Sequence, residues 1–152
     1  MSPFRSHMDI ALAEARAAAA RGEVPVGAVI LDAKGRELAR AGNRMRELCD
    51  PTAHAEILAL RAACAAMRSE RLPGAALYVT LEPCAMCAAA ISNARIARLY
   101  YAAADPKSGG IAQGARVFAH PQTHHVPEVY DGIAAAEAEA LLKAFFQERR
   151  AD

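Results

Sequence analysis

The apolar positions of the chain change period several times, and each change marks an element. Between His7 and Arg21, Met8, Ala11, Leu12, Ala15, Ala18 and Ala19 recur three and four apart, which predicts a helix with one buried face. Gly22 is placed to end it. Pro25 to Leu31 is an apolar strand, Asp32 to Gly35 a turn, and Arg36 to Ala41 a second strand, so the pair predicts a hairpin that Gly42-Asn43-Arg44 closes. Helical spacing returns from Ala53 to Arg68, with Ile57, Leu60, Cys64 and Met67 along one stripe and Thr52 placed to cap the start. Pro73-Gly74 breaks the chain. Ala76 to Leu81 is a third strand that runs straight into Glu82-Pro83-Cys84, followed by a helix from Cys84 to Asn93 and a fourth strand from Ile96 to Tyr101. Asp105 to Gly114 is glycine-rich and polar, the composition of a loop. Val117-Phe118 fits a short helix or a strand, and Val126 to Val129 a fifth strand. A last helix begins at Asp131-Gly132, with Leu141, Leu142, Phe145 and Phe146 as its buried stripe and Gln147, Glu148, Arg149 and Arg150 beyond it. Neither a repeat nor a linker interrupts this order. It predicts a single domain over residues 1–152, of the α/β class.

Composition changes this picture little. The chain has 152 residues, 54% of them hydrophobic, but much of that share is alanine and no apolar run approaches a membrane span. The first residues lack the charged start, apolar stretch and cleavage site of a secretory leader. A cytoplasmic protein with no membrane contact is therefore expected, with Cys49 and Cys64 as reduced thiols. The formal net charge of +1 neither argues for a nucleic-acid partner nor excludes one.

The chemistry concentrates in two clusters, His54-Ala55-Glu56 and Pro83-Cys84-Ala85-Met86-Cys87. One imidazole and two thiols make three good zinc ligands, and three protein ligands leave the fourth tetrahedral position open, as a catalytic zinc requires. Cys84 and Cys87 are three apart, so on a helix both sulfurs face one way. Pro83 suits a first turn, and the positive helix start favours the thiolate. Thr52 as cap would put His54 in the first turn of its own helix. Glu56, two residues beyond the histidine, is the carboxylate placed to move a water's proton. A structural or redox role would account for C-x-x-C alone, and an ordinary helix surface for H-x-E alone. Together they form the H-x-E…P-C-x-x-C signature of zinc deaminases. Cys49 as a fourth ligand would close the site and is not expected in it. His120, His124 and His125 read as a polar loop at the pocket rim rather than a second metal site. His7 reads as surface, and Arg95 and Arg98 as charges on a solvated face.

The matching stretches run well beyond the metal motif. Glu23 to Val29, Gly42-Asn43-Arg44, Asp50 to Leu58 with its DPTAHAEI, Leu77 to Cys87 as LYVTLEPCAMC, Asp105 to Gly109, and Phe145-Phe146 together make the chain resemble the bacterial tRNA-specific adenosine deaminases, in the cytidine-deaminase-like superfamily. The resemblance covers about the whole chain. It implies a three-layer α/β/α sandwich around a five-stranded mixed sheet, a homodimer, one Zn2+ per chain, and conversion of the wobble adenosine in a tRNA anticodon arm to inosine with release of ammonia. It implies His54, Cys84 and Cys87 as zinc ligands, Glu56 as the catalytic proton shuttle, and Asn43 as a hydrogen-bonding partner of the flipped purine. It places Asp105, Lys107 and Ser108 in a loop that contacts the anticodon, and Phe145, Phe146, Arg149 and Arg150 where the last helix meets the RNA. The alternative is a deaminase of a free base or nucleoside, such as guanine, cytosine or cytidine, using the same zinc site. A non-catalytic zinc module is disfavoured, because it would have no use for Glu56.

Overall fold

Strand pairing starts from the first hairpin. In the computed structural model, which describes residues 2–151, β1 (Gly27–Leu31) pairs antiparallel with β2 (Glu37–Gly42) on one edge and with β3 (Ala76–Leu81) on the other. The parallel strands β4 (Arg98–Ala103) and β5 (Glu128–Asp131) extend the sheet to the order β2-β1-β3-β4-β5. The result is the five-stranded mixed sheet that was expected.

Alternation along the strands sorts side chains to two faces. Ile30, Leu77, Val79, Leu99 and Tyr101 pack under α2 (Ala55–Met67) and α3 (Ala85–Asn93). Val29, Leu31, Ala76, Tyr78, Tyr100 and Ala102 pack with Met8, Leu12 and Ala138, under α1 (Pro3–Ala20) and α4 (Ala135–Ala151). The sheet is the middle of three layers. With both faces covered, β1 is buried along its whole length and reads as a continuous apolar run. Gly27 is needed where α1 crosses β1, because a Cβ there would lie 2.0 Å from the Ala11 carbonyl oxygen. An Arg5–Glu137 ion pair and a hydrogen bond from Arg149 Nη2 to the Gly22 carbonyl (2.6 Å) tie α1 and α4 together near both ends.

Several boundaries differ from the periodicity. Helix α1 starts at Pro3 rather than His7, because the Ser2 hydroxyl accepts the Arg5 N–H and Pro3 suits a first turn, in which Phe4 packs on Tyr100. Helix α4 starts at Ala135, since Asp131 still belongs to β5 and Gly132 turns with φ +85°. Thr52 does not cap α2. Its hydroxyl and N–H both go to Asp50 Oδ1, and His54 takes the cap position. Ala55, Ala59 and Ala63 are buried along α2, while Cys64 is only half-buried and Met67, in the last turn, is 50% exposed. Val117–Ala119 is a one-turn 3-10 helix. His7 is not plain surface, because its ring meets Tyr78 edge-on at 5.1 Å, where Tyr78, Tyr100 and Tyr130 stack across β3, β4 and β5. Among the described residues, no helix is long and apolar enough to cross a membrane.

Candidate active site

Two helix starts meet beyond the carboxyl end of β3, the end at which open α/β sheets bind ligands. His54 is the N-cap of α2 and Cys84 the N-cap of α3, both in extended backbone, and neither side chain makes a capping hydrogen bond. Their donor atoms are thereby left for another use. Pro83 precedes the cap rather than sitting inside the helix, and Cys87 follows in the first turn. His54 Nδ1 lies 3.6 Å from Cys84 Sγ and 3.5 Å from Cys87 Sγ, and the three donor atoms are all within 4.8 Å of one another. Usual zinc–sulfur and zinc–nitrogen lengths at a tetrahedral angle put nitrogen and sulfur roughly 3.6 Å apart. The three side chains therefore fit a zinc ion as they stand, with one tetrahedral position to spare. Hydrogen bonds from the Cys87 thiol, from His54 and from the Cys87 backbone hold the Cys84 thiol down to about 4. Cys84 and burial push Cys87 up, and Cys84 raises His54. Cys49 is exposed and stands outside the group.

Glu56, in the first turn of α2, is 4% exposed. Burial raises its carboxyl to about 7, with its own backbone N–H and His54 pulling the other way. A carboxyl poised there can both accept and return a proton near neutral pH. It lines a cavity of about 160 Å³ together with His54, Cys84, Asn43, Met45 and Val26. A cavity of about 150 Å³ accepts one benzene-sized ring, so there is no room for more than one base, and a bicyclic one must extend toward the opening. A second hollow of about 620 Å³ adjoins it, sharing Val24, Leu81, Asp105 and Ser108 and running on to Lys107, Lys143, Phe146 and Arg150.

Asn43 is buried and does the capping that His54 leaves undone. Its Oδ1 accepts the Ala55 N–H at 2.7 Å and its Nδ2 donates to the Val24 carbonyl at 3.2 Å. One lone pair and one N–H remain on the amide, next to the cavity it lines. Two buried acids that the sequence did not single out hold the loops on either side. Glu23 accepts the N–H groups of Arg46 (3.2 Å) and Glu47 (2.9 Å), fixing the segment that carries Met45. Glu82 accepts those of Asp105, Ile111, Ala112 and Gln113 at 2.9–3.1 Å. The only sequence signal for either is a charged residue against an apolar run, Val24-Pro25-Val26 for one and Leu77 to Leu81 for the other. Gly110 passes so near α3 that a Cβ would sit 2.6 Å from Ala85 N, and its own N–H bonds the Pro83 carbonyl at 2.8 Å. Asp105 Oδ1 accepts the N–H groups of Lys107 and Ser108, which leaves those two exposed at the loop tip.

The last helix divides its expected contacts. Successive helical residues point roughly 100° apart, so Phe145 and Phe146 point in different directions. Phe145 is 8% exposed, and the Arg149 guanidinium lies 4.6 Å over its ring while bonding Gly22. These two residues tie α4 to the end of α1, with Phe145 buried there and Arg149 still exposed. Phe146 is 46% exposed, Arg150 is exposed too, and both line the larger hollow. His125 Nε2 is 2.6 Å from the Ile96 carbonyl and His120 Nε2 is 2.8 Å from that of Ala115, so these imidazoles serve separate backbone groups. Arg95 Nη1 donates to the Ser92 carbonyl at the end of α3.

Residues 1–103 match the family described as the cytidine and deoxycytidylate deaminase zinc-binding region. A tRNA-specific adenosine deaminase of Agrobacterium fabrum is 60% identical over 97% of both chains. A structure solved in work on A-to-I editing by tRNA deaminases at the wobble position superposes with a TM-score of 0.88 at 59% identity, covering 90% of this chain and 99% of that one. A guanine deaminase from Nitrosomonas europaea is more distant, with a TM-score of 0.81 and 25% identity over 95% of this chain and 84% of the other.

Proposed function

This chain belongs to the tRNA-specific adenosine deaminases of the zinc-binding deaminase family, and from that premise we propose that it converts the wobble adenosine of a tRNA anticodon loop to inosine. The observation that carries the reading is a one-base cavity opening beside a longer hollow. A free-base deaminase needs only the first. An enzyme that takes one base from a loop needs somewhere for the neighbouring nucleotides, and the second hollow offers Phe146 for stacking with Lys107, Lys143 and Arg150 for phosphates. The target base cannot be reached in a stack and is splayed into the cavity.

His54, Cys84 and Cys87 hold the zinc. When bound, the ion supplies a water acidic enough to give hydroxide near neutral pH. Glu56 takes the proton that this water gives up and delivers it to purine N1. Once the remaining hydroxide has added to C6, Glu56 carries the added hydroxyl's proton to the 6-amino group, so that the C6–N bond breaks and ammonia leaves. Asn43 holds the start of α2, and with it His54 and Glu56, and its spare amide valences meet the purine edge. Asp105 fixes the loop tip, where Lys107 and Ser108 face the anticodon. A homodimer and a cytoplasmic location complete the proposal. With a net charge of +1, a basic RNA-binding surface must be local, and two chains together can assemble it.

Inosine formation on a wobble-adenosine anticodon stem-loop tests the reading, with ammonia release from guanine, cytosine, cytidine and adenosine measured alongside. Turnover is expected on the stem-loop and very low on free adenosine, because flanking nucleotides supply the energy that holds the base. Efficient guanine or cytosine turnover with none on the stem-loop would overturn it.

A further inference from the structure

We propose that Glu82 and Glu23 are positioning residues, each holding one lip of the base cavity in the shape that receives the substrate. The inference rests on the proposed function only in taking the cavity to be the place where a base is bound.

Both carboxylates are 2% exposed, and neither has a cation within ion-pair distance among the described residues. A buried charge is costly unless it is fully hydrogen-bonded. Here the compensation comes from backbone N–H groups of segments distant in sequence. Glu82 Oε1 takes Asp105, and Oε2 takes Ile111, Ala112 and Gln113, three successive amides converging as they do around a bound anion. Such charge-assisted bonds are about twice as strong as neutral ones. The segment they gather has no regular structure of its own from Asp105 to Arg116. It nevertheless supplies Asp105 and Ser108 to both hollows. Glu23 does the same for the opposite lip, whose Met45 lines the cavity. Arg21 reinforces that side, with Nη2 donating to the Asn43 carbonyl at 3.0 Å and Nε 3.8 Å from Glu47. The lips are thus set before substrate arrives, and the ordering cost does not fall on binding.

Glutamine is close to isosteric, but it turns one acceptor into a donor facing N–H groups. In Glu82→Gln and Glu23→Gln, as zinc-loaded full-length enzyme, KM for the stem-loop is expected to rise about tenfold, with kcat within about threefold and one zinc per chain retained. Amide exchange should quicken at Asp105 and residues 111–113 in the first variant and at Arg46 and Glu47 in the second, while α2 and α3 stay protected. An unchanged KM despite faster exchange, or a fall in kcat alone, would overturn the proposal. If a variant does not fold, the wild type still decides. Its amides at 111–113 must exchange as slowly as those of α3, and rapid exchange there means that Glu82 holds nothing in place. Should the wild type act on a free base instead, the substrate reading falls, and the same KM comparison on that base still judges the lips.

Discussion

The metal corner and the hollow beside it share walls but are built in different ways. His54 and Cys84 are fixed as N-caps by the backbone of two helices, Cys87 is buried under them, and Asn43 braces the turn that carries His54 and Glu56. The larger hollow is walled by an exposed loop tip and by one face of the last helix, with Lys107, Phe146 and Arg150 turned outward. Chemistry needs donor atoms placed to within a fraction of an ångström. Recognition of a flexible RNA loop tolerates longer side chains with freedom to adjust. The same difference decides how each region should respond to change, all-or-none at the metal and graded along the hollow.

Removing a ligand should have the largest effect. Cys87→Ala should lose most of the zinc, and with it several kcal/mol of transition-state stabilisation, roughly 10³-fold in kcat/KM at 1.36 kcal/mol per tenfold. Metal analysis and inosine assays on the same sample check it, and full zinc occupancy would remove Cys87 from the ligand set. Glu56→Gln separates chemistry from metal binding within the same corner. Zinc and fold should remain while kcat drops by at least ~10²-fold, the low end for a general acid–base group. Near-normal turnover would assign the proton transfer to another group.

The two phenylalanines of α4 test the boundary between anchor and hollow. Phe145→Ala should cost about 3 kcal/mol of stability, because a buried aromatic is deleted and Arg149 loses its platform. Phe146→Ala should leave the unfolding midpoint nearly unchanged and weaken stem-loop binding by about 1–3 kcal/mol, the usual worth of one stacked base. Denaturant titration and binding isotherms on both variants read the difference, and equal losses of stability would mean that both rings anchor the helix.

What the sequence made legible follows from how far apart the cooperating residues lie along it. The candidate ligands and Glu56 fall in two windows of a few residues each, so their spacing singles them out, and strand alternation sorts the sheet. Glu23 and Glu82 leave only the faint signal of a charge against an apolar run, because their partners are backbone amides more than twenty residues away that carry no side-chain signature. Thr52 looked like a cap because the residue type suits one, but Asp50 is a nearer partner for its hydroxyl. The cap went to His54 once Asn43, from the other side of the loop, supplied the missing acceptor. Phe145 and Phe146 were read as one stripe because adjacent apolar residues do not reveal which of them the core will take.

The smallest predicted effect is the most discriminating within the hollow. Arg149 and Arg150 are neighbours of identical chemistry, and only their directions differ. Arg149 spends its guanidinium on the Gly22 carbonyl and the Phe145 ring, whereas Arg150 lines the hollow and makes no hydrogen bond within the described residues. Each phosphate that a cation neutralises adds about 0.7–0.9 to the slope of log K against log salt. Arg150→Ala should therefore weaken stem-loop binding and lower that slope by about 1, with zinc content and unfolding midpoint unchanged. Arg149→Ala should keep the slope and lose about 1 kcal/mol of stability, the net worth of its hydrogen bond to Gly22. Binding measured across a salt series for both variants gives the answer. If Arg149→Ala flattened the slope as much as Arg150→Ala, its contact with Gly22 would be given up on binding, and the anchor assigned to it would belong to the free protein alone.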